Sequence, residues 1–364
     1  MGRSRVLNSS VHEVPKSPAL AEAKSRALAF FRAEQGDHDH CPIQLFHPDR
    51  PTRTVFSTSY AALALSADPS PESVAIRRRL VTFLQSQREW PGLWRNWGPK
   101  SLVPCDLDDC SLGQIVLRLH GVACRRIDWL VALHRLPEGM FLAWLMPGNV
   151  RTLHPLYWLL ALRECTPRRL HFRFLGYWKQ SGKSHQRQYH VISNAHIVHY
   201  LGETPVSARA IDWIIDTVVQ GRELEREIYF RDPEFLYLAI GRAHHAGITR
   251  FGPLAGLIAE RIKLRATTEG RLGESAFTTA AACAALLHLG VCGPLVERGI
   301  GWLLSQQAAD GGWPGSPLEY DGPPPSIRGW GSRALTTAVV VEALALHESG
   351  RRDMSAPGPV GVER

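Results

Sequence analysis

At 364 residues, with 45% hydrophobic and 21% charged side chains, the chain has the balance of a globular protein and excludes disordered and fibrous classes. No apolar run approaches the roughly 18 residues of a membrane span, and Met1-Gly2-Arg3-Ser4-Arg5 leads into polar sequence rather than a signal core, so a cytoplasmic protein is expected. The net charge of +8 favours anionic partners, but its basic residues are scattered and carry no nucleic-acid motif, which leaves phosphorylated small molecules or peripheral contact with an anionic membrane ahead of DNA or RNA.

In chain order, residues 1–15 read as a flexible N-terminus and 351–364 as a flexible tail, around an organised region over 16–350. Within it a plan repeats: a polar turn, then an Ala- or Leu-rich helical run, then Gly or a polar break. These runs begin near Ser57, Asp108, Ile192, Pro233, Phe277 and Leu335; being apolar on nearly all sides, they predict buried inner helices. Amphipathic partners with a charged face fall at 18–34, 73–88, 124–136, 205–220, 252–265 and 293–307. Ile76-Arg77-Arg78-Arg79-Leu80 illustrates the period, with its basic side outward. Six inner helices alternating with six outer ones describe an all-α, single (α/α)6 toroid. Between the second and third inner helices lies an insertion, 149–188, with a helical piece at 153–162 and a basic, aromatic arm. Alternation over 169–178 predicts a short hairpin there, and the insertion is placed to act as a lid. Strand signals elsewhere are weak. The seven cysteines, an odd number lying mostly in apolar helical runs, read as reduced packing residues.

The stretch Pro104-Cys105-Asp106-Leu107-Asp108-Asp109 puts three carboxylates within four residues at the head of the second inner helix. A single Asp there would serve as an ordinary N-cap. Three together cannot all ionise freely, so at least one is biased toward holding its proton, and a protonated Asp facing an apolar cavity is a strong general acid. Two outer helices end alike, in Gln85-Ser86-Gln87-Arg88-Glu89-Trp90-Pro91-Gly92-Leu93-Trp94 and Gln306-Gln307-Ala308-Ala309-Asp310-Gly311-Gly312-Trp313. Gln85, Gln306 and Trp313 read as clamps between repeats.

Gln-rich helix ends followed by Gly-Gly-Trp resemble the repeats of squalene and oxidosqualene cyclases and of the wider terpenoid-cyclase and protein-prenyltransferase toroid superfamily. The stretch from Gly92-Leu93-Trp94 to Asp109 is similar to the segment carrying the Asp-x-Asp-Asp (DxDD) acid of class II terpene cyclases. The resemblance covers most of 18–350 and implies an isomerase- or lyase-type enzyme of isoprenoid biosynthesis. Its acid falls on Asp108, which protonates an alkene or epoxide, with Asp106 and Asp109 flanking it. Cys110-Ser111 stands where the family has Thr-Ala. The family's class II members close the cavity between two toroids, and this chain has one, so the insertion, a partner or a homodimer would have to close it.

A cation formed by protonating a double bond is stabilised by aromatic faces that do not react as nucleophiles. Phe56, Tyr60, Trp94, Trp97, Phe235, Tyr237, Phe277 and Trp330 lie at heads of inner helices or in adjoining loops and are expected around the substrate. His190 and Asn194, at the matching place in the third repeat, would orient the acid or take up the last proton. Arg163, Arg168, Arg169, Arg173, Lys179, Lys183 and Arg187 tilt the substrate toward a prenyl diphosphate that keeps its diphosphate, with Mg2+ bridging it. The zinc of the prenyltransferase relatives is not expected, because no Asp–Cys pair precedes the last inner helix, and no protein metal ligands are assigned. The alternatives are a non-catalytic isoprenoid- or protein-binding toroid and a prenyltransferase.

Overall fold

The computed structural model describes residues 17–46, 49–145, 150, 152–166, 189–320 and 328–355. Among them, six helices form the inner wall: α2 (Val55–Leu65), α4 (Leu107–Leu119), α7 (Val191–Leu201), α9 (Pro233–His245), α11 (Ala276–His288) and α13 (Arg333–Ser355). Each packs on the next, and α13 closes the ring against α2. Their composition explains the position: every residue of α2 is buried, and the first eleven residues of α11 are too. A helix with no polar stripe cannot face water on any side without exposing apolar surface, at about 25 cal/mol per Å2. Close approach is built in at Gly241 of α9, where a Cβ would sit 2.9 Å from the carbonyl oxygen of Ala285 on α11. The polar turns supply caps: Thr54 accepts the Ser57 N–H at 3.0 Å, and Ser275 and Thr278 form a reciprocal capping box.

The outer layer comprises α1 (Ser17–Gln35), α3 (Pro71–Ser86), α5 (Asp128–Leu133), α8 (Ala208–Gln220), α10 (Ala255–Arg265) and α12 (Pro294–Ser305). The helix expected over 124–136 is only six residues long, because its approach is extended: Arg125 offers its carbonyl to Gln114, and the Ile127 N–H donates to the Tyr200 hydroxyl. The one expected over 252–265 is preceded by a 3-10 turn, Thr249–Leu254; Pro253 has no N–H to give an α-helical bond. The helical piece of the insertion is α6 (Pro155–Glu164). The hairpin expected at 169–178 lies outside the described residues, as do residues 1–15. No described helix is long and apolar enough to cross a membrane.

A four-stranded antiparallel sheet was not anticipated from the sequence. Its order is β2-β1-β4-β3, from β1 (Ile43–Phe46), β2 (Asp49–Thr52), β3 (Pro317–Tyr320) and β4 (Gly329–Gly331). It joins the first repeat to the last, with Gln44 opposite Gly331 and Leu45 opposite Trp330. Strands of three or four residues give almost no periodic signal, and these include Pro51 and Pro317. Gly331 is needed for the approach, since a Cβ there would lie 2.1 Å from the Ser316 carbonyl oxygen.

The inter-repeat clamps are real but differ in membership. Trp313 donates its indole N–H to the Leu303 carbonyl at 2.7 Å, and Gln307, rather than Gln306, ties the Ala23 and Gly311 carbonyls together at 2.9 and 2.8 Å. Gln306 turns instead to Ser305 at 3.2 Å.

Candidate active site

Two fixed segments present the acidic motif. The Leu107 N–H donates to the Ala143 carbonyl at 2.7 Å and the Leu145 N–H to Cys105 at 3.0 Å, which brings Trp144 alongside Asp106. Behind this loop Arg95 is fully buried. It meets Glu89 at 2.7 Å and the Val103 carbonyl at 2.9 Å, and it grips Glu164 of α6 through both terminal nitrogens. A planar guanidinium serving two carboxylates and a carbonyl holds the loop and α6 in one geometry. Asp106 then caps α4, its Oδ1 accepting the Asp108 N–H at 2.6 Å.

Asp108 and Asp109 are 5% and 2% exposed, and all three carboxylates open onto one cavity of about 660 Å3 including its mouth. Burial first, then the charge of Asp108, raises the Asp106 pKa to about 7. Burial and the neighbouring Asp106, Asp108 and Glu319 push Asp109 well above the usual carboxylate range. The cluster is thus a proton store near neutral pH.

The partner of Asp108 is a residue the sequence reading missed. His196 of α7 donates its Nδ1–H to Asp108 Oδ1 at 2.6 Å, with both side chains buried. That bond occupies one of the two carboxyl oxygens of Asp108. The available signal was a His one turn past the head of a largely apolar inner helix. His190, the α7 cap, also lines the cavity. Burial opposes its positive charge, but Glu227 at 3.0 Å together with Asp108 and Asp106 outweighs this, and its pKa rises to about 9. Glu227 was likewise not anticipated.

The aromatic set divides into three groups. Phe56, Trp97 and Trp330 line the cavity, joined by Phe230, Tyr229, Trp144 and Tyr320, which the sequence reading did not single out. Tyr60, Phe235 and Phe277 lie in a layer beneath: Phe56 meets Phe230 at 5.8 Å, Phe230 meets Phe235 at 5.6 Å, Phe235 meets Phe277 at 5.0 Å, and Phe277 stacks on Tyr60 at 6.3 Å. These rings fill the toroid axis and set the floor of the cavity. Trp94 and Tyr237 do not line it. Trp94 is fully buried, packs against Gly113 and donates to the Leu84 carbonyl at 2.8 Å, as Trp313 does to Leu303. Tyr237 donates to Glu223 at 2.8 Å.

Asn194 is also a clamp. Its Oδ1 accepts the Phe141 N–H at 2.8 Å, and its Nδ2 donates to the Phe141 and His190 carbonyls at 3.1 and 3.0 Å. The same early turn of other inner helices does the same job with other atoms. Thr58 accepts the Cys41 N–H at 3.2 Å, Thr337 that of Trp313 at 3.3 Å, and Cys110 that of Trp94 at 3.2 Å through sulfur. Cys110 therefore does accept the bond that a hydroxyl would take. Asn194 fails as a site residue because its side chain is spent on the preceding loop.

The sheet supplies one wall of the cavity through Glu319, Tyr320 and Trp330. Asn96, opposite, donates Nδ2–H to Glu319 Oε1 at 3.3 Å, and Trp97 meets Trp330 edge-on at 4.5 Å. Among the cations proposed for a diphosphate, only Arg163 lies within the described residues; it donates to the Trp90 carbonyl at 2.7 Å and to Cys105 at 3.4 Å. Among the described residues no group of three or more His, Cys, Asp or Glu is arranged to hold a metal.

No protein-family profile matches the chain, and neither does any curated protein. Solved structures do match. The type II terpene cyclase MstE from Scytonema superposes with a TM-score of 0.68 at 17% identity, over 92% of this chain and 100% of that one. A variant of MstE holding its substrate, geranylgeranyl dihydroxybenzoate, gives 0.64 at 16% identity, over 92% and 98%. A protein from Actinoplanes gives 0.65 at 17% identity, over 90% and 99%. The mostly helical toroid with the class II terpene cyclase-like fold is therefore shown, and the chain spans nearly the full length of these neighbours.

Proposed function

We propose that this protein is a class II terpene cyclase in which Asp108 starts the cyclisation of a linear isoprenoid by protonation. The observation that carries this reading is the buried Asp108–His196 bond, 2.6 Å long, inside a three-carboxylate cluster facing an aromatic cavity. The resemblance of the fold to MstE adds support.

With Oδ1 held by His196, the Asp108 proton sits on the other oxygen, facing the cavity. The terminal alkene takes that proton on its less substituted carbon, and its π pair becomes the new C–H bond, leaving a tertiary cation. The next double bond attacks this cation, forming a carbon–carbon bond and moving the charge along the chain. Phe56, Phe230, Trp97 and Trp330 present faces that stabilise it by roughly 0.5–2 kcal/mol each without trapping it. Loss of a proton or capture of water ends the sequence, and the cluster regains a proton from solvent. When the sequence ends by loss of a proton, the product is an isomer of the substrate and the reaction is an isomerisation. The acid needs a dry neighbourhood, and burial with mutual repulsion keeps protons on Asp106 and Asp109 beside it.

The test is incubation with farnesyl and geranylgeranyl diphosphates, with and without Mg2+, and with geranylgeranyl dihydroxybenzoate, followed by mass spectrometry of the products. Wild-type protein should give a cyclic isomer from one of them, and Asp108→Asn should give none. Equal cyclisation by Asp108→Asn would overturn the mechanism.

A further inference from the structure

A cyclisation that ends in proton loss needs an acceptor for that proton, and the titratable groups lining the cavity are not equivalent. Asp106 is spent on the Asp108 N–H and Asp108 on His196, while burial and mutual repulsion keep protons on Asp106 and Asp109. His190 already carries a proton, held by Glu227 at 3.0 Å. Glu227 in turn is occupied by His190 and by the N–H groups of Ile192, Ile228 and Tyr229. Glu319 stands apart from all of these, because it enters the cavity from the sheet and not from α4 or α7. Its strand is fixed from two sides: Glu319 pairs with Trp330 of β4, and the Tyr320 N–H donates to the Tyr229 carbonyl at 2.9 Å. The pairing slips between Pro317 and Glu319, an irregularity of the kind that re-aims a side chain. Asn96, pinned by its own carbonyl to the Val55 N–H at 2.7 Å, donates Nδ2–H to Glu319 Oε1 at 3.3 Å and so orients the carboxylate. The negative charge of Glu319 reaches Asp109, where it adds to the pressure on that group to keep its proton. Trp97, Trp330 and Tyr320 line the same wall, so a cation arriving there meets aromatic faces and a carboxylate together.

Building on the cyclase reading, we infer that Glu319 is the base that ends the reaction, taking a proton from the carbon next to the last cation. The electron pair of that C–H bond becomes the final double bond, the proton goes to a Glu319 oxygen, and the product leaves as a neutral cyclic alkene. Asp108 has then lost one proton and Glu319 has gained one, so substrate and product are isomers. Acid and base sit on separate elements, the acid between α4 and α7 and the base on the sheet, with Asn96 as the positioning residue. A carboxylate fixed beside one carbon also stabilises positive charge there more than at earlier carbons, which determines where the double bond forms.

Product partition and binding test this by separate routes. With a substrate that the wild-type protein cyclises, gas chromatography–mass spectrometry should find a cyclic alkene as the main product. Glu319→Gln keeps the size of the side chain and an oxygen for Asn96. It should cut the share of that alkene among the cyclic products by about tenfold or more, in favour of alcohols or positional isomers. Glu319→Asp, which returns the carboxylate, should restore much of it. Calorimetric titration would use N-octylpiperidine, protonated at neutral pH and so a stand-in for a cyclic cation, and the neutral lactam N-octyl-2-piperidone. Wild-type protein should bind the amine about tenfold or more tighter than the lactam, and Glu319→Gln should bring the two within about twofold. An amine preference that Glu319→Gln abolishes and Glu319→Asp retains supports the assignment even if no substrate is cyclised, in which case the cyclase reading alone fails. An unchanged alkene share in Glu319→Gln, an alcohol as the main wild-type product, or an amine preference that is absent or survives in Glu319→Gln overturns it.

Discussion

Beneath the aromatic floor of the cavity lies a buried ion pair whose removal has a calculable cost. Arg242 on α9 is 4% exposed and Glu342 on α13 is 1% exposed; they meet through two bonds of 2.9 and 2.5 Å, and His288 of α11 adds a third contact to Glu342 at 2.9 Å. The guanidinium also stands 4.4 Å from the centre of the Tyr60 ring, the lowest ring of the floor. Burial alone would raise the Glu342 pKa, but Arg242 and His288 outweigh it and hold the carboxyl at about 2 instead of its ordinary 4.5. At about 1.4 kcal/mol per pH unit, that difference corresponds to roughly 3 kcal/mol at neutral pH. Glu342→Gln should therefore cost about 3–5 kcal/mol, because it leaves a buried guanidinium without its counter-charge. Replacing both partners, Arg242→Met with Glu342→Leu, should cost much less, since neither charge then needs to be desolvated. Urea unfolding at pH 7, followed by circular dichroism, measures both variants. If the double variant loses as much stability as the single one, the contribution is packing rather than charge compensation, and the reasoning is wrong.

Removing the imidazole of His196 with His196→Ala should lower kcat by roughly 10- to 100-fold with little change in KM, as expected for loss of the short hydrogen bond that orients the acid; steady-state kinetics with a cyclised substrate checks this. Activity should fall as pH rises past about 7, where Asp106 gives up its proton and the cluster holds one proton fewer; the pH–rate profile reads it. Stability should decline over a related window. Asp106, raised from 3.8 to about 7, keeps its proton in the folded state where the unfolded chain has lost it, so its contribution becomes unfavourable as pH rises between those values. His190, raised from 6.5 to about 9, contributes stability that is complete below 6.5 and lost as pH rises through 9, so melting temperature should fall from pH 6 to pH 10. Trp94→Ala should cost about 3–5 kcal/mol of stability by opening a core void, whereas Trp97→Ala should lower turnover and leave the melting temperature within a few degrees; thermal melts and activity assays on both separate the clamp from the cavity wall.

The helical repeat was legible because its signal is local. Runs such as Ala276–His288 are apolar on every side, and such a helix must be wrapped by others. The Asp cluster was legible for the same reason: three carboxylates within four residues repel one another in any fold. The clamp pattern revealed Trp313, and by the same pattern Trp94 belonged with it rather than with the cavity, since both indoles donate to a helix-end carbonyl ten residues back.

Alternating inner and outer helices, the position of the acid at the head of the second inner helix and the supply of aromatics near that rim follow from the order of residues along the chain. Which side chains meet does not. His196 lies 88 positions from Asp108, and Asn96 lies 223 from Glu319. The sheet that walls the cavity pairs residues near 44 with residues near 331, in strands too short to show a period. Asn194 and Cys110 were told apart from cavity residues only by the backbone N–H that each accepts from a preceding loop. Periodicity records whether a side chain faces the core, a property set within a few residues. The partner it finds there depends on closure of the ring, which brings distant segments together only when every helix is in place.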